Sequence, residues 1–456
     1  MSSTNIGASI ITGSQSTTSS GGLGSGINVS ALVAAAMANQ TAELNVLQGQ
    51  QSQITTEQTD LNTFNTDLQS LSNAVFALTD PAGQLTSTTA TSSDPTVATA
   101  SSSGGASIGN HTVVVNSLAT TSTQYLTTPV ATSSTAIPTG TLTIQVGTNT
   151  AVPIAINSGN NTLAGLAETI NSSTAGVTAS VITDASGARL AIVSNTSGAP
   201  GDLTITPPSG MGFTKAVTGV NGSATVDGIP IATTSNTVNN AIAGVTLNLV
   251  SANPKETVSI ATNADVTTQA SAINNFVTAY NKVVTDLNNE FAIDPQTGQP
   301  GPGASDSTLA LAQSQILSTI SFSMTGNGSV NSMADLGITM NNDGTLSVDN
   351  STLSAALAAN PSAVQNFFAE TGAGSFGQNL STQINAFADP LTGSIATDIA
   401  GLQQSQSSIT QQIADFQTQL TTTQQQLTAQ FDQVDTVLQE LPLLLQQTQQ
   451  QLASIG

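Results

Sequence analysis

The C-terminal stretch restricts the fold more than any other part of the chain. From Ile395 onward, Ile399, Leu402, Ile409, Ile413, Phe416, Leu420, Leu427, Val434, Leu438, Leu441 and Leu445 recur at steps of three, four or seven, with Gln406 and Thr423 standing in two of the seven-residue gaps. That spacing is a heptad seam, one narrow apolar stripe on a helix whose other positions are mostly Gln, Thr, Ser and Asp. Such a stripe needs a partner to cover it, and at 1.5 Å per residue the periodic part is roughly 75 Å long. The other end of the chain offers a match. Leu47, Ile54, Leu61, Leu68 and Val75 repeat every seven residues, and Phe64, Leu71 and Leu78 repeat three residues behind the later ones. Two such seams predict an antiparallel pair of terminal helices, with everything between them inserted at the far end. The candidate seam residues are Leu47, Ile54, Leu61 and Leu68 on the first helix and Leu427, Phe431, Val434, Leu438 and Leu441 on the last.

Composition narrows the class. Only 7% of the 456 residues are charged, against about a quarter in ordinary soluble domains. Four basic residues, Arg189, Lys215, Lys255 and Lys282, face 26 acidic ones, for a net charge of −22. Such a surface repels nucleic-acid phosphates and anionic lipid, which excludes both as partners. There is no cysteine, hence no disulfide, thiolate metal site or thiol catalysis. No apolar run approaches the roughly 18 residues of a membrane span. The start, MSSTNIGASIITGSQSTTSS, is polar and the first basic residue is Arg189, so a general secretory signal is not expected.

In order along the chain, residues 1 to 26 are rich in Ser, Thr and Gly and are expected to be disordered. Their glycines match no nucleotide-loop spacing. The first helical region runs from Asn28 to Leu78, with Asn28 or Ser30 as its cap, and Asp80-Pro81-Ala82-Gly83 ends it. From Leu85 the texture turns to short alternating runs with β propensity. His111–Val115 reads as a strand, Thr141–Val146 and Val152–Ile156 as a hairpin, Thr162–Asn171 as a small helix, and Val177–Thr183 and Arg189–Ser194 as strands. Helical periodicity returns at Asp265, with Val266, Ile273, Phe276, Val277, Tyr280, Val284 and Leu287 on one face, and again over Leu309–Ile320 and Thr352–Phe368. The fold class is α+β and multidomain. Its parts are a disordered or helical terminal leg (1–45 and 430–456), a helical bundle or coiled coil (46–80 and 265–429), a β-rich head domain (81–130 and 220–264), and a second β-rich domain inserted into it (131–219).

Nothing points to catalysis. His111 is the single histidine and lies in a strand, so neither a Ser-His-Asp arrangement nor a zinc site is supported. Thr339–Asn350 resembles a calcium loop at Asn341, Asp343 and Gly344, yet its first and twelfth positions lack carboxylates; a hairpin turn explains it better. Acidic residues are scattered singly, which leaves a carboxylate dyad without a seat. No catalytic, cofactor-binding or metal-ligating residue is assigned, and no cofactor is expected.

Three stretches carry a family resemblance. Gly140–Gly201, with GTLTIQVG, TLAGLAETIN and GVTASVITDASGARLAIVSNTSG, is similar to a small β-rich insert shared by several flagellar axial proteins. TVDGIPI through AIAGVTLNLV to NADVTTQASAINNFVTAYNKVVTDLN, ending at Asn288, and SMADLGITMNNDGTLSVDNSTLSAALAANPSAVQNFFA, ending at Ala369, resemble the bacterial flagellar hook-associated protein 2 family, the filament caps. The resemblance implies paired terminal helices forming a leg and β-domains forming a distal plate. It also implies a non-enzymatic homo-oligomeric ring at the extracellular tip of the flagellum, secreted by the flagellar export route. There the ring promotes folding and insertion of flagellin, for filament elongation and motility. Implied partners are flagellin, hook-filament junction proteins, the export apparatus and a cytoplasmic export chaperone. The alternatives are a hook-filament junction protein and an extracellular adhesin.

Overall fold

The computed structural model describes residues 28–296, 298–369 and 374–453. The disorder expected of residues 1 to 26 therefore lies outside the described residues. The chain divides into two units, one drawn from residues 1–66, 289–308 and 386–456, the other from 67–288 and 309–385.

The first unit is built on two long helices. Helix α1, Val29–Thr79, contributes its N-terminal part; Asn28 caps it, its Oδ1 accepting from the Ala31 N–H at 3.0 Å. Residues 29–45 are thus helical. Opposite runs the helix of Ser394–Ala453. Leu44, Ile413 and Leu420 are buried together, with Met37, Leu47 and Phe416 packed against them.

The second unit opens with an outer β-domain. Its first strands are β1 (Thr88–Ser92), β2 (Ala98–Ser102) and β3 (Gly109–Ser117). The chain then enters the insert through β4 (Thr121–Leu126), β5 (Gly140–Val146), β6 (Val152–Ile156), helix α2 (Leu163–Asn171), β7 (Val177–Asp184), β8 (Gly187–Ser197), β9 (Leu203–Thr206) and β10 (Phe213–Val217). It returns through β11 (Gly222–Val226), β12 (Ile229–Thr233), β13 (Thr237–Ile242), β14 (Val245–Leu249) and β15 (Val258–Ala264).

Sheets of order β1-β15-β3-β11-β12 and β13-β14-β2 form the outer domain. Their period-two alternation, as in Val245, Leu247 and Leu249 of β14, sends one face of each into a common core with Val113, Val115, Val226, Val258 and Ile260. In the insert, sheets β10-β4-β8-β7 and β6-β5-β9 enclose a separate core with Leu163, Leu166 and Ile170 of α2.

The insert starts earlier than the Ser133–Pro138 break implied. Strand β4 lies in the span expected to belong to the outer domain, 81–130, yet it pairs with β8 and β10. The break is a loop inside the insert, where Ile137 is buried in the insert core. An alternating strand such as TSTQYL shows which side chains face inward but not which sheet it joins.

Beyond β15 come α3 (Val266–Glu290), α4 (Ser307–Ile320), the hairpin strands β16 (Ile338–Met340) and β17 (Leu346–Val348), α5 (Asn350–Ala359), α6 (Pro361–Ala369) and α7 (Phe376–Ala388). The helix of Ser394–Ala453 is α8. The periodic run Thr352–Phe368, expected as one helix, is two, because Pro361 has no N–H and Asn360 leaves helical geometry at φ −145° and ψ 65°. In a chain poor in aromatics, Phe276, Tyr280, Phe322, Phe367, Phe368 and Phe376 gather in one cluster, with Phe367 stacked on Phe376 at a ring separation of 5.6 Å.

The β16–β17 hairpin is held to α3 by side-chain amides. Asn281 Oδ1 accepts from the Leu346 N–H at 2.6 Å and its Nδ2 donates to the Leu346 carbonyl at 2.8 Å. The Tyr280 hydroxyl donates to the Gly344 carbonyl at 3.2 Å, and Asn288 Nδ2 to the Asp343 carbonyl at 2.8 Å. Replacing Asn281 with Leu strands a donor and an acceptor on β17, so urea unfolding of this variant is expected to show a loss of roughly 1–3 kcal/mol. A second expectation is that residues 119–219 expressed alone unfold in one cooperative thermal transition, since their core is self-contained; a sloping, non-cooperative melt would contradict it.

Candidate functional site

The terminal helix pair is the candidate functional surface, and its geometry follows from two hydrogen bonds. Gln51 Nε2 donates to Thr410 Oγ1 at 2.9 Å, and Gln406 Nε2 donates to Thr55 Oγ1 at 3.2 Å. Four residues forward on α1 match four backward on α8, so the helices are antiparallel. Continued by 22 residues, this register takes Gln51 back to Val29, where α1 begins, and Thr410 on to Asp432. Helix α8 continues to Ala453. The 21 residues from Gln433 to Ala453 thus extend past the start of α1 by roughly 30 Å at 1.5 Å per residue.

The candidate seam residues divide at that point. Leu61 and Leu68 are buried, Leu61 in the first unit and Leu68 in the second. Leu47 and Ile54 are half-buried, and Leu47 packs against the Leu44, Ile413 and Leu420 cluster. Leu427 and Phe431 are half-buried. Val434, Leu438 and Leu441 are 50%, 37% and 50% exposed. The two seams therefore meet around Leu47, while no other described residue covers the last third of the C-terminal seam.

Part of this surface lies outside the candidate seam residues. Val437 and Leu444 are also exposed and lie one helical step beside the seam, so the uncovered stripe carries Val434, Val437, Leu438, Leu441, Leu444 and Leu445 and is wider than a strict heptad line. Val437 and Leu444 are seven residues apart, a signal legible in the sequence but lying off the strict heptad line. Pro442 sits inside this part of α8.

Near the other end of the leg is a groove of about 350 Å³, lined by Glu57, Asp306, Ser307, Thr308, Thr397, Asp398, Gly401 and Leu402. Burial, together with the charges of Asp306, Asp398 and Asp60, pushes the Glu57 carboxyl above its usual value. Burial also raises Asp60. Among the described residues no group of three His, Cys, Asp or Glu side chains is placed to hold a metal ion. None of their helices is long and apolar enough to cross a membrane. His111 bonds through Nδ1 to Asp227 Oδ2 at 2.7 Å, at the turn between β11 and β12.

Because Glu57 binds its proton more tightly in the folded protein, the penalty for its charge is complete above the raised value and is relieved as pH falls toward the ordinary 4.5. The Glu57 contribution to the melting temperature is therefore expected to grow as pH falls from neutral through the raised value toward 4.5. Glu57→Gln is expected to melt higher than the parent at pH 7 and to show a smaller rise, as measured by circular dichroism.

Comparison with known proteins gives these helices and sheets a context. The family description "Flagellar hook-associated protein 2 N-terminus" matches residues 25–122 and "Flagellar hook-associated protein 2 C-terminus" matches 219–442. "Flagellin hook IN motif" matches 141–196, inside the insert. The B-type flagellar hook-associated protein 2 of Pseudomonas aeruginosa is 29% identical, over 72% of this chain and 75% of that protein. The flagellar hook-associated protein 2 of Escherichia coli K12 is 28% identical, over 86% and 89%. The crystal structure of the flagellar cap protein FliD D1-D2-D3 domains from Escherichia coli superposes with a TM-score of 0.62 at 27% identity, covering 75% of this chain and 99% of that one. The chain belongs to the flagellar hook-associated protein 2 family of flagellar cap proteins.

Proposed function

We propose that this chain is a non-enzymatic subunit of a homo-oligomeric ring that caps the distal tip of a bacterial flagellar filament. The ring promotes folding and insertion of exported flagellin there, and filament elongation and motility depend on it. Flagellar export carries the chain to the tip with the help of a cytoplasmic chaperone, and hook-filament junction proteins are its first platform. Family membership supports the location. The observation that carries the mechanical part is the exposed stripe of Val434, Leu438 and Leu441, an apolar face that continues the α1–α8 seam past the start of α1. Contact with neighbouring subunits would cover it.

The physical chemistry suits export and assembly. Helices of this kind gain most of their stability from packing a stripe and little from intrinsic propensity, so they unfold readily for threading and re-form on contact. The absence of cysteine removes disulfide traps. A junction-protein or adhesin reading gains no support, since both longer matches name hook-associated protein 2 and the motif under its own description, Flagellin hook IN, is confined to the insert.

Negative-stain electron microscopy of the purified chain is expected to show closed annular plates; monomers alone at micromolar concentration would overturn the ring. Leu438→Asp with Leu441→Asp tests the stripe. Both side chains are exposed in the single chain, so each substitution is expected to shift its stability by no more than about 0.5 kcal/mol. Burial of each Leu on assembly contributes about 1.5–3 kcal/mol. Filament growth in a strain lacking its own cap is expected to be restored by the parent and lost with the double variant.

A further inference from the structure

The insert joins the outer β-domain through two short linkers, Leu118-Ala119-Thr120 and Thr218-Gly219-Val220-Asn221. Two short linkers between separate cores ordinarily permit relative motion. Here they are tied to each other and to both bodies. The Thr120 N–H donates to the Val220 carbonyl at 3.0 Å, and Thr120 Oγ1 donates to the Thr218 carbonyl at 2.6 Å.

Two side chains pin this crossing. Asp202, in the insert, accepts from the Gly219 N–H at 3.0 Å and the Ser122 hydroxyl at 3.0 Å through Oδ1, and from Lys215 Nζ at 2.8 Å through Oδ2. Burial pushes its carboxyl up, but the Lys215 ammonium, the Gly219 N–H and the Ser122 hydroxyl hold it below its ordinary value, so it is charged at neutral pH. From the outer domain, Asn236 Oδ1 accepts from the Ala119 N–H at 2.8 Å, and its Nδ2 donates to the Ala119 carbonyl at 3.0 Å.

The bodies also touch backbone to backbone. Gly198 of the insert has φ +75°, and a Cβ there would lie 2.6 Å from the Thr234 carbonyl oxygen of the outer domain. The Ser197 hydroxyl donates to that same carbonyl at 2.8 Å. A Cβ on Gly219 would lie 2.6 Å from the Gly198 carbonyl oxygen. This approach leaves no space for the linkers to swing without breaking several directional bonds.

We infer that the insert and the outer β-domain form one rigid head, their mutual angle locked by a polar joint that Asp202 and Asn236 pin across the two linkers. The inference concerns the single chain and does not depend on what the assembled protein does.

The chain has no cysteine, so Ser101→Cys on β2 and Thr183→Cys on β7, both exposed, give one spin label in each body of the full-length protein. Double electron–electron resonance is expected to give a single narrow distance distribution. Asp202→Ala with Asn236→Ala is expected to broaden it at least about twofold, as hinge release does, while circular dichroism still reports a cooperative melt. A broad or multimodal distribution in the labelled parent overturns the inference, whatever the variants do. An unchanged width in the folded double variant overturns the assignment of the lock to these residues, and if that variant fails to fold, Asn236→Ala alone carries the comparison.

Discussion

Coverage of one apolar stripe by another is the interaction on which the leg depends. Helices α1 and α8 each carry a seam too narrow to stand alone in water, and each finds cover in the other around Leu44, Leu47, Ile413 and Leu420. The pairing brings together residues more than 350 positions apart, as Gln51 and Thr410 illustrate. Closing so long a loop is costly in entropy, but the cost grows only slowly with length. The remainder of the chain can therefore be accommodated between the two helices as independently cored bodies.

A second constraint shapes those bodies. With four cations against 26 carboxylates, ion pairs cannot organise the structure. Lys282 is shared by Asp67 and Asp286, and Lys215 serves Asp202. Neutral amides take over elsewhere. Asn171, Asn236 and Asn281 each bond both the N–H and the carbonyl of one backbone residue, at Ala179, Ala119 and Leu346. An amide presents a donor and an acceptor at the spacing of a strand, so it closes the open edge of β7 or β17 as another strand would. Such contacts carry no net charge and are insensitive to salt, unlike surface ion pairs.

These clasps give the motif residues a physical role. The family-like stretch that ends at Asn288 aims Tyr280 and Asn281 of α3 at the β16–β17 hairpin, while Phe276 and Tyr280 enter the aromatic cluster. One helix thus serves two neighbours, and the spacing of its residues is set by both. The same logic operates at the joint of the head, where Asp202 and Asn236 hold backbone groups that the linkers alone would leave to water.

Periodicity made the long helices, their seams and the strand-rich middle legible in the sequence, because a stripe at 3.5 spacing or an alternation of two follows from backbone geometry and burial alone. Leu47 and Ile413 were readable as inward-facing for that reason. The sequence did not determine which sheet β4 joins, since its alternation is satisfied equally in either β-domain. Nor did it determine where α1 begins relative to α8, which turns Val434, Leu438 and Leu441 from core-like positions into an exposed face. The joint residues were invisible for a related reason: Asp202 and Asn236 are ordinary polar residues until the chain crosses itself beside them. Local chemistry sets which side chains must be covered, and only the three-dimensional register decides what covers them.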